Sequence, residues 1–456
     1  MIKTKLCRKF LLLLTIICFV NIVYSQKKYN YNEYFFPELK IRGSGLSGNN
    51  DYMITDKDEM VRKFTATGRF NYFEIENSLQ TQRYAHTILD GFYSRTKRSI
   101  NTTFSNTELI DGNINFYQEF RKFRKPNKKN SLFWETNQFV DISFFNQFDI
   151  QRNRNLQRNI SSLMMFPIKF GKGRIEPLEG LPLAEFLIDD LINEGLMDTL
   201  LSQEKLFELA QKLVTLRNAR VFDSRRARIY RLTEASKWFE ENWVQPDIKS
   251  LAIINDNMFY ANVGTRGQGI AHAIGFMPVL YPLYLLADPG KSFGLGLQYE
   301  LNLQKNISKY WYHGAYLKSS YYVFNLPENE IELSEIYSVK AEYQLNYVPN
   351  TRTIIRLNPS FSGFSLDNTR KLYLSDLSFS FTWFVNFKLM VNGGFSLMNT
   401  KLVSDDTSVF LPALFVSDNY DSNFYRTNIS SLISGKYTFD NEKDRRIYLI
   451  FLYNLF

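Results

Sequence analysis

The feature that most constrains this chain is an alternation of apolar and polar residues, sustained in its C-terminal half over runs of about 10 to 14 residues. Leu297, Tyr299, Leu301 and Leu303 alternate with Gln298, Glu300, Asn302 and Gln304. Val339, Ala341, Tyr343, Leu345 and Tyr347 alternate with Lys340, Glu342, Gln344 and Asn346. Leu377, Phe379, Phe381 and Trp383 share one parity, as do Phe387, Leu389, Val391, Phe395 and Leu397. A period of two places one row on each face of a strand. Strands of soluble proteins usually stop at about 5 or 6 residues.

Length and aromatic content narrow the choice. Runs this long suit a membrane-spanning β-barrel, and the 16% aromatic content, with 40 Phe and 28 Tyr, suits interfacial girdles of rings. A soluble β-sandwich is the competing reading, since its strands alternate in the same way. A helical membrane protein is disfavoured. Its one candidate span, Ile270 to Leu286, contains His272, Pro278 and Pro282, and two prolines so close together oppose a helix. That stretch is expected to be a strand followed by an apolar loop.

The N-terminus reads as an export signal over residues 1–25. Lys3, Lys5, Arg8 and Lys9 precede an apolar core from Phe10 to Val20, and Ser25 offers a cleavage site before Gln26. Ile16 and Ile17 stand where a lipoprotein signal needs small residues ahead of Cys18. Cys7 and Cys18 are the only cysteines, so the exported chain is expected to have no disulfide, thiolate nucleophile or cysteine–metal site. Four of the 55 basic residues also leave with the signal, which lowers the net charge from +9 to about +5. That excess is too small to argue for a nucleic-acid partner.

The last predicted strand, Arg445 to Phe456, carries Tyr448, Ile450, Leu452 and Phe456 on one parity. Here the chain resembles Gram-negative outer-membrane β-barrel proteins, whose terminal strand ends in an aromatic residue read by the barrel-assembly machinery. Asn454 departs from that pattern. The resemblance is to the class and implies outer-membrane location, with membrane lipid and the assembly machinery as partners. The expected fold is a transmembrane antiparallel β-barrel of about 14 strands, 16 being the alternative, with an inserted helical segment.

Charge fixes the expected register. A Lys or Arg facing lipid at mid-depth costs about 2–4 kcal/mol. The rows with Lys340 and Glu342, or Lys388 and Asn392, should therefore face the interior, and the Val339 and Phe387 rows should face outward. Short connections at Pro349–Asn350 and Val385–Asn386 suit the periplasmic side, and longer ones at 324–335 and 399–423 the outer side. An extra strand at Val409 to Val416 is then needed to return the chain to the periplasmic side, giving ten strands from about residue 257. Earlier strand candidates are 63–76, 82–96, 112–124, 130–142 and 158–169, with 143–150 as an optional extra; an even total takes four of them for 14 strands, or six for 16.

The expected divisions are a polar N-terminal segment 26–60, first barrel strands 61–170, a helical insert 171–250 and remaining strands 251–456. In the insert, Leu206, Leu209, Leu213 and Leu216 recur at helical spacing after Ser202, a good N-cap. Ala184, Leu187, Ile188, Leu191 and Ile192 form an earlier amphipathic stretch, and Ile229, Leu232, Phe239 and Trp243 a later one. The insert is expected to hang below the barrel or fold into it as a plug.

Arg217, Arg220, Arg225, Arg226, Arg228 and Arg231 form the densest charge cluster. It reads either as an anion-attracting lining or docking surface for a periplasmic protein partner, or as a solvated helical face. The excess of acids over bases across 177–247 favours the solvated face.

No catalytic, cofactor or metal site is expected, and the chain does not read as an enzyme. His86, His272 and His313 are far apart. Gly43, Gly45 and Gly48 match a dinucleotide-binding spacing, but no strand precedes them, and a loop is expected instead. Gly171-Lys172-Gly173-Arg174 is expected to be the hinge into the helices. Two functions remain: a pore or gated channel for small polar solutes, or a non-conducting envelope protein that anchors loops or docks a partner.

Overall fold

The computed structural model describes residues 29–36, 39–56, 60–100, 103–125, 130–150, 154–219, 224–242, 247–260, 263, 266–285, 292–325, 333–366, 370–385, 389–403 and 443–453. The expected export signal and the expected strand at Val409 to Val416 lie outside these residues.

Seven strands precede the helices: β1 (Lys40–Asp56), β2 (Met60–Asn77), β3 (Thr81–Ile100), β4 (Thr103–Phe123), β5 (Leu132–Asp149), β6 (Arg154–Met165) and β7 (Ile168–Pro177). Four helices follow: α1 (Leu181–Asn193), α2 (Gln203–Asn218), α3 (Ser224–Glu241) and α4 (Ile248–Tyr260). The chain then returns to strands β8 (Gly267–Leu285), β9 (Ser292–Asn306), β10 (Trp311–Asn325), β11 (Leu333–Asn350), β12 (Thr353–Leu366), β13 (Arg370–Phe384), β14 (Leu389–Val403) and β15 (Lys443–Tyr453). The mainly antiparallel β architecture with inserted helices is therefore as expected.

All fifteen strands belong to one sheet, in sequence order. β6 and β7 both lie between β5 and β8 and share a single position, so the described strands fill fourteen. They divide as six positions before the helices and eight after, where four and ten were expected. The final strand pairs directly with β14 and runs back toward the short-turn end, so no extra strand is needed between them.

Prolines explain the break between β6 and β7. Pro167 separates the two, and Pro278 stands at the same level of β8; neither has an N–H for the ladder. Their carbonyls still accept, from Asn137 N at 3.2 Å and Phe166 N at 3.2 Å. β8 thus continues as strand through both of its prolines to Leu285, where a loop was expected.

Three further boundaries are corrected. Gly43, Gly45 and Gly48, expected in a loop, lie in β1, which pairs with β2 along its whole length. The Gly171–Arg174 hinge is part of β7. Residues 248–260, mostly assigned to the barrel, form α4, whose N-cap Asp247 accepts from Ser250 N at 2.7 Å.

The sheet curls strongly. Side chains of β3 and β11 line one cavity, although seven strand steps would separate them by about 34 Å in a flat sheet. Arg174 on β7 likewise reaches the β2–β3 turn, donating to Leu79 O at 2.8 Å and Ser78 O at 2.5 Å.

The two faces segregate as the charge argument requires. Lys340 and Glu342 line the cavity, while Val339 is exposed on the opposite face. The exposed apolar row includes Ile168 (53%), Phe170 (65%), Ile274 (51%) and Phe276 (63%), and continues through Tyr337, Phe361, Trp383 and Phe395. Phe387 and Lys388 lie outside the described residues. Among the described residues, no helix is long and apolar enough to cross a membrane.

Glycine substitutions test the wall packing. A Cβ on Gly275 would stand 2.1 Å from Ile168 O and 2.5 Å from Lys169 Cα, whereas at Gly45 it would meet nothing within 4 Å. Gly275→Ala is expected to destabilise by about 1–3 kcal/mol through overpacking, and Gly45→Ala by no more than about 0.5 kcal/mol. Denaturant unfolding of the two variants checks the contrast.

Candidate functional site: a charged interior band beneath a helical cap

A cavity of about 450 Å³ lies on the concave face. Its chemistry follows from the inward rows of β4, β5, β7, β9, β10 and β11. Arg121 on β4 pairs with Glu119 at 2.8 Å and with Glu135 on β5 at 2.5 Å. Lys169 on β7 then joins Glu135 at 2.5 Å to Glu300 on β9 at 2.7 Å. Glu300 stands opposite Lys318 on β10, which stands opposite Lys340 on β11, and Lys340 pairs with Glu342 at 2.8 Å.

Lys169 and Glu300 are two strands apart, and the intervening β8 makes their contact feasible. Its inward residues there are Ala273 and Gly275, which leave room for the lysine to pass. The Lys169 and Glu135 side chains are fully buried, so their charges are tolerable only while paired. Four acids (Glu119, Glu135, Glu300, Glu342) meet four bases (Arg121, Lys169, Lys318, Lys340), leaving the band neutral.

The helices cap the end of the sheet that carries the short turns. One hydrophobic cluster joins Leu181, Leu187, Leu206, Leu213 and Phe239 to Tyr29, Tyr34 and Leu39 of the N-terminal segment. It also takes in Tyr312, Val348 and Ile354, which have the inward parity of β10, β11 and β12. The helices therefore pack against the concave side of the wall at this mouth.

Polar contacts fix the cap. Lys309 pairs with Asp189, Arg352 Nη2 meets Asp256 Oδ1 at 2.6 Å, and Phe186 packs edge-on against Tyr310 at 5.7 Å. The N-terminal segment is strapped in by Tyr31 OH, which donates to Glu185 Oε2 at 3.0 Å, and Tyr34 OH, which donates to Glu179 O at 2.8 Å. Buried Arg266 donates to Val263 O at 3.1 Å and Lys309 O at 2.8 Å, with its guanidinium 4.5 Å from the Tyr312 ring centre. Burial lowers its pKa to about 10, leaving it charged at neutral pH. Burial also raises the Glu179 carboxyl, an effect opposed by nearby Arg217.

The arginine cluster is divided. Arg217 lies in the last turn of α2, while Arg225, Arg226, Arg228 and Arg231 belong to α3; Arg220 lies outside the described residues. Arg228 donates to Asn255 on α4 through Nε and Nη2, at 3.0 and 2.8 Å, and Arg231 to Ala219 O at 3.4 Å. These arginines lie on the cap rather than in the band. Ile229, expected on a buried helical face, is exposed; Ala235, Trp238 and Phe239 form that face.

In the terminal strand, Tyr448 pairs with Gly394, Ile450 with Asn392 and Leu452 with Met390, while Phe456 lies outside the described residues. His86, His272 and His313 occupy β3, β8 and β10. Among the described residues, no group of three His, Cys, Asp or Glu could hold a metal ion.

Sequence reasoning placed Lys340 and Glu342 inward and Glu300 on the polar row of its strand, but missed the Glu135–Lys169–Glu300 bridge. No spacing rule brings those strands together. The Asp247 cap of α4, preceded by Pro246 and followed by Leu251, Ile254 and Met258, was a readable signal.

No protein-family model matches the chain, and no curated protein matches it in sequence. Among solved structures it is similar to the β domain of the Bordetella autotransporter BrkA, at 5% identity, over 80% of this chain and 95% of that one. The TM-score of 0.25 is too low to carry an argument.

Replacing Lys169 by Met leaves Glu135 and Glu300 without their shared cation. A loss of about 3–5 kcal/mol is expected, with a smaller loss for Lys340→Met at the partly solvated end of the band. Equilibrium unfolding in detergent measures both.

Proposed function

We propose that this chain is an outer-membrane β-barrel, and that it passes small polar solutes through its interior with the helical cap as a gate. The observation that carries this reading is the segregation of faces. An exposed apolar belt on the convex side suits acyl chains, and a paired, polar concave side suits water and solute. The cap packs across one mouth through the shared hydrophobic core and through Lys309–Asp189 and Arg352–Asp256, the contacts that opening would break.

The location of the cap agrees with this reading. It lies at the end where the sheet carries its short turns and where β15 finishes, the periplasmic side in a barrel of this class. The alternative is a non-conducting anchor that presents the cap to a partner, and the exposed Arg226, Arg228 and Ile229 on α3 are what favour it.

An engineered cysteine pair separates the two. Phe186→Cys with Tyr310→Cys places one thiol on the cap and one on the wall. Planar-bilayer recordings are expected to show current when the pair is reduced and its loss when the pair is oxidised. Current indifferent to oxidation would remove the gate from the proposal. Silence in both states, from correctly folded protein, would favour the anchor.

A further inference from the structure

We propose that the concave-side cavity binds a neutral, polyhydroxylated ligand of sugar size. The proposal rests on the channel reading and deepens it by naming a solute class. Three features of the cavity, taken together, point there.

The first is its charge. The four acids and four bases of the band are matched, most of them within ion-pair distance of one another. An anionic or cationic solute would have to break a buried pair to gain one of its own, and a neutral one would not.

The second is a set of uncommitted amide atoms. Asn115 Nδ2, Asn137 Oδ1 and Gln298 Oε1 are buried without a hydrogen-bond partner. All three residues line the cavity, and each is at least nine-tenths buried. They supply one donor and two acceptors. A ligand satisfying them must both give and accept hydrogen bonds, as hydroxyl groups do. Leaving such atoms unpaired is unfavourable, so the site gains from a ligand or water that fills it.

The third is an aromatic wall. Tyr84 and Tyr117 line the same cavity with ring centres 5.8 Å apart, offering an apolar surface to the C–H face of a sugar ring. The cavity volume of about 450 Å³ also falls within the range of small-molecule sites.

Saturation-transfer NMR on the full chain in an amine-oxide detergent tests this, since glucoside and maltoside detergents would compete. The probes are maltose, lactose, sucrose and N-acetylglucosamine, with glutamate, arginine and phosphate as charged comparisons. Transfer to at least one neutral sugar is expected, with about tenfold weaker binding in Asn115→Leu and Asn137→Leu. Heat-dependent gel mobility identifies variants that have folded, and the wild-type panel stands without them.

Transfer to none of the sugars would overturn the proposal. So would transfer to a charged probe that no sugar displaces, or unchanged affinity in both folded variants. Stronger competition by an alkyl galactoside than by lactose would assign the sugar to a lipid headgroup, and equal competition to free solute; either supports the site. Binding without bilayer current would retain the site and remove the channel, whereas current without sugar binding would remove the site alone.

Discussion

Backbone N–H and C=O groups must be paired wherever water is kept away, and in this chain that requirement is met by strand-to-strand ladders rather than by local turns. Once the ladders are in register, alternate residues have only two places to go. Ile168, Phe170, Ile274 and Phe276 go outward, and Lys169, Glu300 and Lys340 inward. A one-residue slip would exchange the two sets. The register is thus held by the cost of exposing lysines on the apolar side and of enclosing phenylalanines on the charged one.

Curvature turns this two-sided sheet into a site. Lys169 meets Glu300 only because β8 carries Ala273 and Gly275 between them, and Arg174 meets the β2–β3 turn only because the wall bends. The same small residues bring the β7 and β8 backbones close enough that a methyl at Gly275 would collide. Packing and electrostatics are therefore coupled at this level of the wall. The cap is Leu-rich and helical, and it shares its core with the wall residues Tyr312, Val348 and Ile354, adding the largely buried Lys309–Asp189 pair and the partly exposed Arg352–Asp256 pair. Opening the mouth would therefore have to separate part of that shared core.

Much of the C-terminal wall was legible in the sequence because its alternation is long and uninterrupted, as from Val339 to Tyr347. β1 was not legible. Its Gly43-Ser44-Gly45 and Gly48-Asn49-Asn50 segments have poor intrinsic strand preference, and pairing with β2 overrides it. β8 was read too short because Pro278 and Pro282 suggested a loop, whereas Pro278 sits at the β6–β7 break. The candidate site was legible only as separate inward residues. The charges on β4, β5, β7 and β9 converge through curvature, which a period of two does not encode.

The account depends on opposite environments for neighbouring residues of one strand. Cys7 and Cys18 are the only cysteines in the sequence, so with both replaced by Ser single cysteines can be placed and spin-labelled along β11 without background. Oxygen and water-soluble nickel accessibilities at positions 337 to 342, measured in lipid vesicles, test it most directly. The account predicts oxygen maxima at 337, 339 and 341, with nickel maxima, where the interior is wet, at 338, 340 and 342. Two profiles that rise and fall together, or oxygen maxima at the even positions, would contradict it.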